Sequence, residues 1–445
     1  MSGKHAVLRQ EAPIPSFLSA ARLHGYWDRL RTSFWFLPSG MAGLAIALSF
    51  GLIQLDTMVS TKWVTEVGWL YSFGPGGARA LLSAIASSMI TVAGLTFSIT
   101  MLTLQLASSQ FGPRLLRNFM RDRGNQVVLG IFISTFVYCL LVLRTVRGTE
   151  ESSFVPHLSV AAGVVLALAS IAVLIYFIHH VATAIRIESL LEALAVETHA
   201  TINHLYPERL GHDPPPDQQS GFELPDVPDS DFRPIMAGAS GYMQRVDVEA
   251  LMRIATEHDL VIRVDARPGR FVTDRDAVFR VHAADGVSDD VADMLKATFI
   301  LGHERTPDQD LEFSIRRIVE IAQRALSPGI NDPTTALYCI DRLGEAFGRL
   351  ARRDVPSPLR FDTERRLRVV TSVITLDELA CPAFAAVARY GLADADVVRH
   401  LLDTMKKLQR AERPAESSQL IKLIDEIGRE SAGHLCLDFD RRAVQ

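Results

Sequence analysis

The stretch "LTFSITMLTLQLASSQFGPRLLRNFMRDR", Leu95–Arg123, changes character at its middle. Its first half is apolar but interrupted by Ser, Thr and Gln; its second half is basic. No charged residue occurs between Arg79 and Arg114. A helix of a soluble core must turn one side to water and so carries charge on that side. A helix that stays uncharged for about 20 residues fits the hydrocarbon of a bilayer, and a basic run just after it fits the cytoplasmic headgroup region.

Three further segments share this property. The expected spans are Phe34–Leu55, Ala80–Ala107, Gln126–Leu143 and Leu158–Val181. Basic residues flank them unevenly. Arg22, Arg29 and Arg31 precede the first, and Arg114, Arg117, Arg121 and Arg123 lie between the second and third. Arg186 follows the fourth. The other two loops are poorer in Lys and Arg. Positive charge stays on the cytoplasmic side, so both termini are expected in the cytoplasm of a bacterium, with the chain in its inner membrane. The N-terminus lacks the apolar core of a signal peptide.

The second span raises its own question. Ser87, Thr91, Gly94, Ser98 and Gln105 fall on one helical face, and Thr96, Thr100 and Thr103 form an adjacent stripe. Such faces rarely point at lipid. They serve either as helix–helix contact surfaces or as the wall of a hydrated pore in a homo-oligomer. In the pore reading, Arg114 and Arg117 ring the cytoplasmic mouth and favour a small anion. Gly43, Ala47 and Gly51 on the first span make a small-xxx-small stripe suited to close packing. No acid or base sits in mid-membrane, which counts against an ion-coupled carrier. His179 and His180, at the cytoplasmic end of the fourth span, read as interfacial anchors or as a pH-responsive element.

The rest of the chain is charged and soluble in character. The expected organisation is an N-terminal segment (1–33), a four-helix membrane domain (34–181) and a helical extension (182–206). A Pro- and acid-rich linker (207–234), a small β-rich module (235–283) and a helical region (284–445) complete it. The fold class is thus an α-helical membrane protein with a mainly α, α+β C-terminal region. The β-rich segment is similar to the barrel-sandwich of biotinyl and lipoyl domains, which carry a modifiable lysine; no lysine occurs between Lys62 and Lys296. "SPGINDPTT", Ser327–Thr335, predicts a helix-to-helix junction, with Asp332 as N-cap and Pro333 at the first helical position. Asn331 and Asp332 are expected to satisfy exposed backbone donors, or to hold a ligand or subunit at the helix N-terminus.

Two blocks, Ala107–Val146 and Phe313–Leu343, resemble the signature blocks of a bacterial membrane-protein family catalogued as domain of unknown function 2254. The resemblance implies membrane location and this architecture, and it assigns no activity, cofactor or site.

Enzymatic motifs are missing. "GASGY" at Gly238 departs from G-x-S-x-G, His303-Glu304 lacks a second His at metal-binding spacing, and there is no phosphate loop. The four cysteines form no C-x-x-C pair. The expectation is a non-enzyme with no cofactor, whose partners are the lipid bilayer, copies of itself and a small ion or anionic ligand, not nucleic acid. Two functions follow: an oligomeric channel-like or transport-associated protein, or a membrane-anchored sensor or scaffold.

Overall fold

The computed structural model describes residues 35–58, 74–111, 122–149, 152–184, 186–206, 231–283, 286–353, 355–411, 418–435 and 437. The chain divides into two compact units, Met1–Arg186 and Ile187–Gln445.

The first unit holds four helices: α1 (Phe36–Met58), α2 (Pro75–Phe111), α3 (Arg123–Thr145) and α4 (His157–Ala184). Each is long and apolar enough to cross a membrane. A short antiparallel hairpin, β1 (Arg147–Thr149) and β2 (Ser152–Phe154), joins α3 to α4. Helix α3 packs against each of the other three. It has the largest buried share of the four, and its Phe132, Tyr138, Cys139 and Val142 are fully enclosed. Small residues let the helices meet: a Cβ at Gly163 on α4 would sit 3.2 Å from the Leu82 side chain on α2.

The helix ends are tied by polar groups. Asp56, at the end of α1, accepts hydrogen bonds from the Leu158 and Ser159 backbone N–H groups at 2.9 Å each, and from the Ser159 hydroxyl at 2.6 Å. It therefore caps α4 from another helix, supplying partners for donors that a helix N-terminus leaves free. At the opposite end of α3, Asp122 is the N-cap. It accepts from Gly124 N–H at 2.8 Å and lies 2.6 Å from His180 Nε2. Tyr176 stacks on that imidazole.

The second unit opens with α5 (Ile187–Leu205), which starts as a separate helix after α4 ends at Ala184. Residues 207–230 of the acid-rich linker lie outside the described residues. The β region comprises β3 (Arg233–Met236), β4 (Gly241–Val246), α6 (Val248–Glu257), β5 (Val261–Val264), β6 (Phe271–Val272), β7 (Ala277–His282), α7 (Asp289–Lys296) and β8 (Phe299–Gly302). The helices α8 (Leu311–Ala325) and α9 (Pro333–Leu350) follow, then a hairpin of β9 (Leu359–Phe361) and β10 (Leu367–Val370). Helices α10 (Leu376–Gly391), α11 (Ala395–Ala411) and α12 (Ser418–His434) end the described chain.

The strands form no self-contained barrel-sandwich within 235–283. One five-stranded sheet runs β3-β7-β5-β10-β9, with β10 parallel to β5; a three-stranded sheet runs β6-β4-β8. Strands from beyond residue 283 therefore complete both sheets. A few short strands seldom bury enough apolar surface to be stable alone. Here β10 covers an edge of β5, while α6 and α7 close the core over Ile262, Phe279 and Val281. In the helical part, α8, α9 and α10 pack together, with Phe347 and Phe384 edge-to-face at 5.3 Å.

Candidate functional site

The hydroxyls of α2 sort into two faces. Thr96, Thr100 and Thr103 are buried with Ala78, Leu82, Ala86, Met89 and Ala93. Ser87, Thr91, Gly94, Ser98 and Gln105 are exposed within the single chain. A Cβ added at Gly94 would meet nothing within 4 Å, and the same holds at Gly43 and Gly51 on α1, where Ala47 is also exposed. The stripe of five is thus uncovered by the described residues of its own chain, and the threonine stripe, which lies on the opposite side of the helix and not beside it, turns inward.

The exposed hydroxyls are nonetheless bonded locally. Thr91 donates to the Ser87 carbonyl at 2.8 Å and Ser98 to the Gly94 carbonyl at 2.9 Å. Donation to the carbonyl four residues back satisfies the O–H without a neighbour and leaves the oxygen's lone pairs outward. Gln105 differs, because its amide carries two N–H donors and a carbonyl; none of these has a hydrogen bond among the described residues. Arg114 and Arg117 lie outside the described residues.

Four such apolar helices, with hydroxyls back-bonded to the backbone, are what a bilayer-spanning unit requires. One family model, described as "Predicted membrane protein (DUF2254)", matches residues 31–407. The chain belongs to this family. Its DUF2254 relatives include the uncharacterized protein Rv1290c of Mycobacterium tuberculosis strain H37Rv, 35% identical over 420 residues, covering 91% of this chain and 78% of that protein. An uncharacterized protein of Mycobacterium bovis, Mb1321c, matches with the same identity and coverage. No solved structure matches. This is a membrane protein, mostly helical, with an α/β C-terminal region.

The junction motif of this DUF2254 member folds as a cap. Asp332 accepts from Thr335 N–H at 3.1 Å and from the Thr335 hydroxyl at 2.6 Å, and Pro333 opens α9. Asn331 works through its backbone. Its φ of +50° is left-handed, which Asn tolerates better than most residues, and its N–H donates to the Ser327 carbonyl at 2.9 Å. Neither residue lines the two larger hollows of the C-terminal unit.

Those hollows escape a reading of the sequence. One, of about 550 Å³, is bounded by the end of β4, the first turns of α6 and α8, the turn after β5, the end of α5 and the segment Thr371–Ile374. Arg267 and Ile374 divide it from a second of about 490 Å³, which is lined by Glu312, Asp377 and Glu378. The framework around them is rigidly bonded. Gln309 pairs with the Val246 backbone as a strand would, accepting from its N–H at 2.9 Å and donating to its carbonyl at 3.2 Å. Asp310, almost fully buried, caps α8 through Phe313 N–H and receives both Nε and Nη2 of Arg305, at 2.7 and 2.9 Å. Gly269 must be glycine: its φ is +89°, and a Cβ would fall 2.2 Å from Asp310 Oδ2. Tyr206 donates to the Ile374 carbonyl at 2.8 Å; burial pushes its hydroxyl up to about 12, with Arg267 pulling the other way. The "ARPG" turn and the aspartate before α8 were the available signals, but each reads locally as a turn or a cap. Among the described residues no group of His, Cys, Asp and Glu could hold a metal ion.

Proposed function

We propose that this DUF2254 member is a homo-oligomeric, channel-like protein of the bacterial inner membrane, with both termini and the C-terminal unit in the cytoplasm. The observation that carries the reading is the uncovered face of α2: Ser87, Thr91, Gly94, Ser98 and Gln105 are exposed while the opposite face is buried. Lipid offers no partner to the Gln105 amide, so the face is better placed against other copies of α2 or against water between them. A ring of copies would line a path with hydroxyl oxygens, and the basic run containing Arg114 and Arg117 would stand at its cytoplasmic mouth. The protein acts without catalytic chemistry in this reading.

The test is Ser98→Leu in purified protein, with oligomer mass and ion flux in liposomes measured together. Lost flux from an intact oligomer supports the pore; a dissociated oligomer makes the face a packing surface. Wild-type vesicles that pass none of several anions and cations would remove the channel. Sidedness is checked by cysteine labelling from outside, which should reach a site engineered at Gly68 and miss one at Gln218. The second reading, a membrane-anchored sensor or scaffold, is favoured by the arginine-lined hollow of the C-terminal unit, and it stands if flux is absent.

A further inference from the structure

The larger hollow of the C-terminal unit has the attributes of a ligand site. Its volume of about 550 Å³ falls in the range of small-molecule sites, roughly 300–1,000 Å³. Val248, Val264 and Val373 give it apolar wall.

Its lining holds three guanidinium groups, of Arg245, Arg267 and Arg360, and three carboxylates, of Asp247, Glu249 and Asp310, but they are unequally engaged. Asp247 and Asp310 line it, but both carboxylates are engaged as helix caps: Asp247 accepts from Ala250 N–H at 3.0 Å, and Asp310 is held by Phe313 N–H and Arg305. Arg360 donates to the Ser357 and Leu359 carbonyls, and the other two guanidinium groups are less committed. Arg267 is half-buried, and its contact with Glu312 is 3.8 Å, too long for a hydrogen bond. Arg245 is exposed and makes no ion pair among the described residues. Glu249 is the one lining carboxylate that caps nothing.

We propose that this hollow binds a phosphate monoester with an apolar or aromatic body, the phosphate meeting Arg267 and Arg245 and the body lying along Val264 and Val373. Guanidinium matches phosphate through paired N–H donors. The volume exceeds what a bare phosphate fills, so the body contributes affinity. The site holds whether or not α2 lines a pore. Such an ester reaches the hollow either as a soluble metabolite or as a lysophospholipid from the bilayer.

The experiment uses the full chain in nanodiscs of zwitterionic lipid, titrated calorimetrically with phenyl phosphate and with inorganic phosphate. Saturable binding of phenyl phosphate is expected, with inorganic phosphate weaker. Losing a charge-assisted contact costs enough that Arg267→Gln and Arg245→Gln should each weaken phenyl phosphate about tenfold or more. Val373→Trp should abolish phenyl phosphate binding by filling the hollow. Each variant is first checked for wild-type circular dichroism and melting; exposed Arg245 keeps the test valid if Arg267→Gln fails to fold. Displacement by lysophosphatidic acid doped into the discs assigns the lipid source, and its failure to displace assigns the soluble one. No saturable binding of phenyl phosphate to the wild type overturns the proposal, as does binding that Arg245→Gln and Val373→Trp leave unchanged.

Discussion

Many hydroxyls of the membrane unit bond back to their own helix; several charged side chains of the C-terminal unit instead pair with other elements. Thr91, Ser98, Thr100 and Ser170 each donate to a carbonyl four residues earlier. Arg317 on α8 instead reaches Glu197 on α5 at 2.8 Å, and Arg368 on β10 binds Asp362 at 2.8 Å and Asp259 at 2.6 Å. Burial alone would push the Asp362 carboxyl up. The Arg366 and Glu364 backbone N–H groups and the Arg368 guanidinium outweigh it, and hold the group below the usual carboxylate range. The contrast follows from solvent. Where no water can satisfy a backbone, regular helix and self-bonded hydroxyls are the safe solution. In the charged C-terminal unit, paired side chains are held in place by a folded framework and desolvated only in part.

The comparison breaks most severely at Asp310. Alanine there leaves Arg305 without its bidentate partner and α8 without its cap, so a loss of about 3 kcal/mol is expected. Hydrogen exchange over residues 303–326 should accelerate strongly while α1–α4 exchange as before; slow exchange at α8 in the variant would show that the pair is dispensable.

Asp56 ties two helices of the membrane unit together, because it caps α4 from α1. Asp56→Ala removes three accepted bonds, for an expected cost of about 2 kcal/mol. Thermal melting in mild detergent should drop by several degrees. An unchanged melting temperature would mean that the headgroup region supplies substitute partners.

Asp332→Ala sharpens the distinction between a cap and a contact. A purely capping role costs about 1 kcal/mol, read from denaturant unfolding. If flux or ligand binding disappears while unfolding is unchanged, the cap account fails and a subunit or ligand contact takes its place.

The smallest effect concerns pH. Burial holds His199 below its ordinary value of 6.5, and the neighbouring guanidinium groups of Arg349 and Arg342 push the same way, against Glu345. The unfolded chain therefore takes up the proton first. His199 contributes to stability above 6.5, and that contribution falls as pH drops from there toward the lower folded-state value. Urea midpoints compared at pH 7.5 and 5.5 should differ less in His199→Gln than in the wild type. An equal pH dependence in both would assign the effect to other groups.

Much of this was legible along the chain because it is local. Four uncharged runs specify four helices, since any single charge would have to be buried in hydrocarbon. The Asp332-Pro333 pair specifies a helix start, since a side-chain acceptor and a fixed φ act within one turn. Membership in the DUF2254 family was also carried by contiguous blocks.

What the tertiary structure decided is which of several equivalent local choices is used. Two hydroxyl stripes on α2 have nearly the same spacing, and the positions of α3 and α4 beside it send Thr96, Thr100 and Thr103 inward and leave Ser87, Thr91 and Ser98 outside. Val369 lies beside Ile262 in a parallel pairing across more than a hundred residues, and no periodicity encodes a partner at that distance. The hollow between Arg245, Arg267 and Val373 exists because separate segments converge on it. Each of those residues is locally an ordinary turn or strand position. Side-chain pattern fixes which face an element buries, but what meets that face depends on how the whole chain packs.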